Sequence, residues 1–316
     1  MRMFENCEKI STLNMPRSEW LEKRREGIGG SDAAAVIGLS PWATPYTVYL
    51  DKLGLLPAKE ENEAMRQGKD LEEYVAQRFT ELTGKKVQRC NFMIRNKAYP
   101  FALADIDRRI VGENAILECK TTSSLDLKQF RGVEFPERYY AQCVHYLAVT
   151  GAERCYLSVL VLGKEFHAFT LERDEAEITA LMKLECDFWD MVQRREPPGI
   201  TGAEPDSEAI SAIYVDSDNG ESVELYGMEE LFKRLETANE TLALAQRTKD
   251  EIQNQIKEQM KTAERGICGA YSVSWKTQER HLLDMEALRA DFPDIPFEKY
   301  MKISKSRPFK VKAEAV

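Results

Sequence analysis

The stretch Ala115-Ile116-Leu117-Glu118-Cys119-Lys120 constrains this 316-residue chain more than any other, because a short apolar run ends in Glu-x-Lys soon after another carboxylate, Asp107. In a strand alternate side chains share a face, so Glu118 and Lys120 project together while Leu117 and Cys119 point the other way. Residues 101–111 read as a preceding strand, and Gly112-Glu113-Asn114 is turn chemistry, which predicts a hairpin. A turn at Gly112-Glu113 sets Asp107 opposite Glu118 and Asp105 opposite Lys120. A turn at Glu113-Asn114 pairs Asp107 with Lys120 instead, and either choice keeps all four side chains on one face. A three-residue loop without a bulge splits them. Carboxylates and an ammonium crowded on one face are relieved by a divalent cation, the pattern of a Mg²⁺-dependent phosphodiesterase site. The plainer alternative is a hairpin with a solvated charged face.

Composition permits an enzyme of this kind. The 43% hydrophobic and 31% charged content is that of a globular chain with one sizeable core plus an appendage. No eighteen-residue apolar run and no signal-peptide core are present, so a cytoplasmic protein is expected. Seven scattered cysteines without a CxxC pair argue against a disulfide framework, a zinc finger or a four-cysteine iron–sulfur clamp. A net charge of −9 is unusual for binding nucleic acid. The charge is unevenly spread, however: residues 60–63, 173–185 and 204–230 are acidic, whereas Arg17 to Arg25, Arg108-Arg109 and Lys302 to Lys312 are basic. Binding confined to a channel with an acidic exterior fits that distribution.

Along the chain, Ser18 is expected to cap a short helix carrying Trp20 and Leu21 that stops at Gly27, and Ser31 to cap a second helix over Asp32–Ile37 after Gly27-Ile28-Gly29-Gly30. Consecutive backbone N–H groups there suit an anion, although a glycine-rich turn before a helix is also simple capping. Thr44-Pro45 opens a helix that closes at Gly54. Another runs from about Glu63 to Gly84 with Leu71, Val75, Phe79 and Leu82 as its stripe, and Glu72 beside it. Pro136 to Thr150 reads as a helix with Tyr140, Val144 and Leu147 on its core face and Gln142 on the adjoining one; His145 pairs with no other ligand and reads as structural. Residues 154–162 and 167–171 form a second hairpin, and a helix through Trp189 and Val192 ends before Pro197-Pro198-Gly199. These boundaries give a first domain over 1–200, an acidic linker over 201–227, and an α+β extension over 228–316. The extension begins with a long helix whose Leu231, Leu235, Ala238, Leu242, Ala245, Ile252 and Ile256 repeat at threes and fours, expected to pack within the chain in preference to a dimer seam. Lys302, Lys305, Arg307, Lys310 and Lys312 either track a DNA backbone or form a solvated basic tail.

Several motifs in order carry a family resemblance across about residues 15–190: Trp20 with Arg24 through Ala35, Ser40-Pro41-Trp42, Gly68-Lys69-Asp70-Leu71-Glu72, Ala104-Asp105-Ile106-Asp107-Arg108, Glu118-Cys119-Lys120, and Tyr140 through Tyr146. The chain resembles the YqaJ-type viral recombinase family, phage-type nucleases related to lambda exonuclease within the PD-(D/E)xK superfamily. The resemblance implies an α/β fold with a mixed central sheet flanked by helices. It implies Mg²⁺, with Mn²⁺ as substitute, held by Asp107, Glu118 and the Cys119 carbonyl, with Lys120 orienting the attacking water. Glu72 is expected to reach the metal through water, and Gln142 to approach the catalytic lysine or the scissile phosphate. Arg25 and Ser31 are matched to a 5′-phosphate site, with Arg24 as the alternative arginine. Asp105 departs from the family pattern, as a spare ligand or a source of repulsion. The implied activity is 5′-to-3′ digestion of double-stranded DNA ends, by a homo-oligomer of the trimeric-ring type, for a single-strand annealing protein of the RecT type in the cytoplasm of a phage's host. An endonuclease or nickase using the same site, and a non-catalytic DNA-end adaptor, are the alternatives.

Overall fold

The computed structural model describes residues 3–57, 61–130, 132–218, 220–301 and 307–311. They fall into two compact units, Met1–Val215 and Asp216–Val316.

The first unit runs β1 (Cys7–Ser11), α1 (Arg17–Arg25), β2 (Ile28–Gly29), α2 (Gly30–Val36), α3 (Pro45–Lys52), α4 (Glu63–Thr83), β3 (Val87–Arg89), β4 (Phe92–Asn96), β5 (Ala102–Ala104), β6 (Arg108–Ile110), β7 (Ala115–Thr122), β8 (Leu127–Phe130), β9 (Val133–Pro136), α5 (Glu137–Thr150), β10 (Arg154–Val161), β11 (Phe166–Glu172), α6 (Glu175–Arg194) and α7 (Glu204–Ile213). The fold is α/β, as expected, with mixed sheets flanked by helices. There are two main sheets where one was expected: a four-stranded sheet ordered β1-β4-β5-β2 and a five-stranded sheet ordered β11-β10-β7-β6-β3.

The hairpin register is that of the Gly112-Glu113 turn, with Arg108 opposite Leu117 and Arg109 opposite Ile116. Gly112 takes φ +86°, a conformation that suits glycine. Residues 101–111 are nevertheless not one strand. β5 belongs to the four-stranded sheet and β6 to the five-stranded one, so Asp105-Ile106-Asp107 bridges the two. The break has visible anchors on α5: His145 Nε2 faces the Leu103 carbonyl at 2.9 Å, and the Tyr146 hydroxyl donates to the Asp105 carbonyl at 3.0 Å.

β7, α5 and β10 form a β-α-β crossover, with β7 and β10 parallel from Ala115↔Arg154 to Thr122↔Val161. Along β7, Ala115, Leu117 and Cys119 pack with Ala76 and Phe79 of α4, while Ile116 joins the core on the α5 side. Strand alternation therefore directs Glu118 toward α5. On α4 the buried residues are Val75, Ala76 and Phe79; Leu82, assigned to the stripe from sequence, lies in the last turn 63% exposed. Helix α5 is buried over its whole length from Ala141 to Thr150, far beyond a single core face, because it packs against strands of both sheets. Its polar side chains consequently lie within the core.

Two of three capping assignments change. Pro16 precedes α1 without a side-chain cap, so Ser18 is inside the helix. Helix α2 starts two residues early, with Gly29 at its cap and Ser31 in its first turn, and Asp32 accepts the Gly29 N–H at 2.9 Å. Thr44 caps α3 as expected, accepting the Thr47 N–H. The acidic stretch read as a linker contains α7, whose Asp206 is buried, hydrogen-bonded to the Thr44 hydroxyl and to the N–H and hydroxyl of Thr201 at 2.6 and 2.7 Å.

The second unit contains α8 (Glu229–Met260), the antiparallel pair β12 (Arg265–Cys268) and β13 (Tyr271–Ser274), and α9 (Met285–Asp291), which Asp284 caps. Within this unit, packing of the α8 repeat against the terminal segment is not found: no α8 residue is buried among the described residues. Residues 307–311 are not a strand, and Lys302, Lys305 and Lys312 lie outside the described residues.

Candidate active site

The Asp105-Ile106-Asp107 bridge, β7, α1, α2, α4 and α5 converge on one cavity of about 640 Å³, lined among others by Asp107, Glu118, Lys120, Gln142, Arg24 and Ser31. Asp107, Glu118 and Lys120, brought together from sequence, thus line the same cavity. Glu118 is buried; its Oε1 accepts from Lys120 Nζ at 2.6 Å and Gln142 Nε2 at 2.8 Å. Its Oε2 is buried with no hydrogen-bond partner. Asp107 Oδ2 accepts the Cys119 N–H at 2.7 Å, which ties the bridge between the sheets to β7.

Burial, reinforced by the Glu118 charge, holds the Asp107 carboxyl well above the usual carboxylate range. Burial likewise raises Glu118, against the opposing pull of Lys120. For Lys120, burial works to discharge the amine, but Glu118 and Asp107 outweigh it and its pKa is raised. The lysine is therefore an ammonium, able to orient and stabilise negative charge and unable to act as a base in this state.

Among the described residues, no three or more His, Cys, Asp or Glu side chains are grouped so as to hold a metal ion. Glu72 is held by two arginines. It lines the cavity, yet its Oε1 pairs with Arg108 Nη1 at 2.5 Å and lies 3.7 Å from Arg89. Arg108 is 2% exposed and also meets Glu73 at 2.9 Å, so a buried guanidinium has captured the acid assigned to the metal. Arg108 accordingly is no DNA-facing base. Of the three other cavity carboxylates Asp105 is bound by the Trp20 indole, which leaves Asp107 and Glu118, and the unsatisfied Glu118 Oε2 is an oxygen donor without a partner. That set fits Mg²⁺, which commonly takes one or two protein carboxylates and completes its shell with water and phosphate oxygens.

Gln142 meets Glu118 and the Tyr146 hydroxyl (3.0 Å), not Lys120. Asp105 accepts the Trp20 indole N–H at 2.8 Å, and burial raises its pKa against that hydrogen bond. Of the two arginines, Arg24 reaches Ser31 Oγ at 2.6 Å and stacks 5.0 Å from the Trp20 ring centroid. Arg25, one residue or about 100° further around α1, lies 3.8 Å from Asp51. Behind Ser31, Lys52 Nζ binds Asp32 Oδ2 at 2.6 Å and the Arg24 carbonyl at 3.0 Å. Trp20, Tyr146, Arg108 and the Lys52–Asp32 pair were not singled out from sequence as site residues. Helical spacing was the available signal for the first two, since Trp20 precedes Arg24 by four and Tyr146 follows Gln142 by four.

Residues 19–153 match the model of the YqaJ-like viral recombinase domain. The protein YqaJ of Bacillus subtilis (strain 168) is 40% identical over 303 residues, 94% of this chain and 95% of that protein. The chain belongs to the YqaJ-like viral recombinase family. Among solved structures it is similar to an alkaline exonuclease from Laribacter hongkongensis (18% identical, 57% of this chain and 94% of that one, TM-score 0.44). A phage related exonuclease from Haemophilus somnus 129PT is also similar (14% identical, 54% and 96% covered, TM-score 0.40). The 19–153 match takes in β6, β7 and all of α5, and it includes Asp107, Glu118, Lys120 and Gln142. Among the described residues, no helix is long and apolar enough to cross a membrane.

Proposed function

We propose that this protein is a Mg²⁺-dependent deoxyribonuclease, with Mn²⁺ as a substitute, that digests double-stranded DNA ends 5′-to-3′. It acts in phage recombination in the host cytoplasm, as a homo-oligomer of the ring-of-three type, and leaves 3′ overhangs for an annealing protein of the RecT type. The observation that carries the reading is the unpartnered Glu118 Oε2 beside Asp107 and Lys120 in one cavity that also contains Arg24 and Ser31. Asp107 and Glu118, with the Cys119 carbonyl, would hold the cation. Bound there, Mg²⁺ supplies positive charge against the phosphorane and favours ionisation of water. Lys120 orients the nucleophile and offsets charge on the scissile phosphate, and Gln142 fixes the Glu118 carboxylate that Lys120 shares. Arg24 and the Ser31 hydroxyl form the 5′-phosphate contact, and Glu72 acts by holding Arg108 beneath the site.

The test compares end-labelled linear duplex, with and without a 5′-phosphate, with closed circular DNA, in Mg²⁺ or EDTA. Wild type should degrade phosphorylated linear ends only with Mg²⁺. Lys120→Ala should lose roughly 10²–10³-fold in rate. Arg24→Ala should lose the preference for the 5′-phosphate, whereas Arg25→Ala should keep it. Cleavage of closed circles would replace the exonuclease with a nickase, and absence of Mg²⁺-dependent hydrolysis would leave a DNA-end adaptor.

A further inference from the structure

Helix α8 is 32 residues long and carries Leu231, Leu235, Ala238, Leu242, Ala245, Ile252 and Ile256 at alternating steps of four and three, with Lys249 in the one remaining position. In heptad notation Leu235, Leu242, Lys249 and Ile256 are a positions, and Leu231, Ala238, Ala245 and Ile252 are d positions. No residue of the helix is buried, and Leu231, Leu242, Ile252 and Ile256 are 55%, 68%, 51% and 42% exposed. An unbroken a/d seam of this length is what a coiled coil covers.

We propose that the occupant of this seam is α8 of a second copy of the chain, running antiparallel. The flanking positions show why a like partner fits. Phe232, Asn239, Gln246 and Gln253 stand at e and Arg234, Thr241, Thr248 and Gln255 at g; Arg234 is the single charge among them, and in an antiparallel pair it faces Gln255 of the other copy. Identical helices therefore approach without like-charge pairs along these flanks, and no charge pattern is present to select a different, oppositely charged partner.

The core positions then decide direction. A parallel pair stacks each a on its own copy, which sets Lys249 against Lys249 in the seam and stacks alanine on alanine at 238 and 245. An antiparallel pair matches a with d: Leu235 with Ile252, Leu242 with Ala245, Lys249 with Ala238, and Ile256 with Leu231. Each alanine then faces a long side chain. The Lys249 stem lies over Ala238 while its ammonium reaches water. All eight positions are satisfied by one offset, with the two-fold axis passing between Ala243 and Leu244. The dimer does not depend on the catalytic reading, and it links two first units whatever their own assembly.

Sedimentation of the full chain tests the association. Leu242→Glu/Ile252→Glu alters only exposed side chains, so the fold is retained, as circular dichroism will show, and the mass of the assembly should halve. An unchanged mass overturns the proposal. Direction is tested in a Cys268→Ser background, which removes the exposed native thiol. Leu235→Cys and Ile252→Cys chains oxidised separately with diamide should stay uncrosslinked, and their mixture should give a disulfide-linked pair. Crosslinking of either variant to itself would establish the parallel arrangement and overturn the proposal.

Discussion

Removing Lys52 should destabilise the protein through the acid it leaves behind. Lys52 and Asp32 side chains are 1% and 14% exposed and 2.6 Å apart, and Asp32 also accepts the Gly29 N–H at the start of α2. Burial pushes the Asp32 carboxyl up, but Lys52 and then Arg24 outweigh it and bring it from 3.8 down to about 2. At about 1.4 kcal/mol per pH unit, that depression corresponds to about 2 kcal/mol of stability. Because the folded-state value lies below the unfolded one, this contribution is complete above pH 3.8 and is lost as the pH falls through about 2. Lys52→Met should cost about 3–5 kcal/mol at neutral pH, since an uncompensated carboxylate remains buried. Asp32→Asn in the same background should recover part of that loss, with a coupling energy of about 2 kcal/mol from the four-membered cycle. Urea unfolding at pH 7 measures the cycle, and repetition at pH 3 should shrink the coupling. Coupling below about 0.5 kcal/mol would refute the pairing as the source of the depressed pKa.

Three further outcomes follow from the same geometry. Asp107→Asn keeps an acceptor for the Cys119 N–H and removes a carboxyl whose raised pKa makes ionisation unfavourable in the fold. It should stabilise the metal-free protein at pH 8 by on the order of 1 kcal/mol, and only wild type should gain thermal stability from Mg²⁺. Arg108→Met should cost about 3–5 kcal/mol because Glu72 loses its partner, whereas Glu73→Ala, at a side chain 78% exposed, should cost under about 1 kcal/mol by urea unfolding. Burial works to lower the His145 pKa, but Glu185 at 2.9 Å outweighs it and the value is raised. The stability from that pair is complete below the unfolded value near 6.5 and is lost as pH rises through the folded one; equal slopes of stability against pH in wild type and Glu185→Gln would count against it.

Local order was legible in the chain. An apolar run gave β7 and alternation the β10–β11 hairpin, the 112–114 turn left three registers of which the fold takes that of Gly112-Glu113, and Thr44-Pro45 and Gly151 marked helix ends that the fold retains. The acids and the ammonium meet because a two-residue turn and a two-residue repeat are properties of a few neighbouring residues. Two acids have partners that the sequence did not show. Asp206 stands in a stretch read as an acidic linker and Glu72 beside an apolar stripe, and charge in a sequence carries no label for burial; Thr44 and Thr201 bind the first, Arg108 the second.

The sequence by itself determined the strand that bears Glu118 and Lys120, its hairpin with the segment that follows Asp107, the family, and the heptad seam of α8. Only the tertiary structure decided that Asp105-Ile106-Asp107 bridges two sheets, that Arg24 and not Arg25 reaches Ser31, and that α5 is buried so deeply that Gln142, His145 and Tyr146 all hold the site from below. Periodicity and turn chemistry act over a few residues and are written locally. Which partner satisfies a buried charge depends on groups 20 to 40 positions away, such as Lys52 for Asp32 or Glu185 for His145, and these become neighbours only when the helices pack.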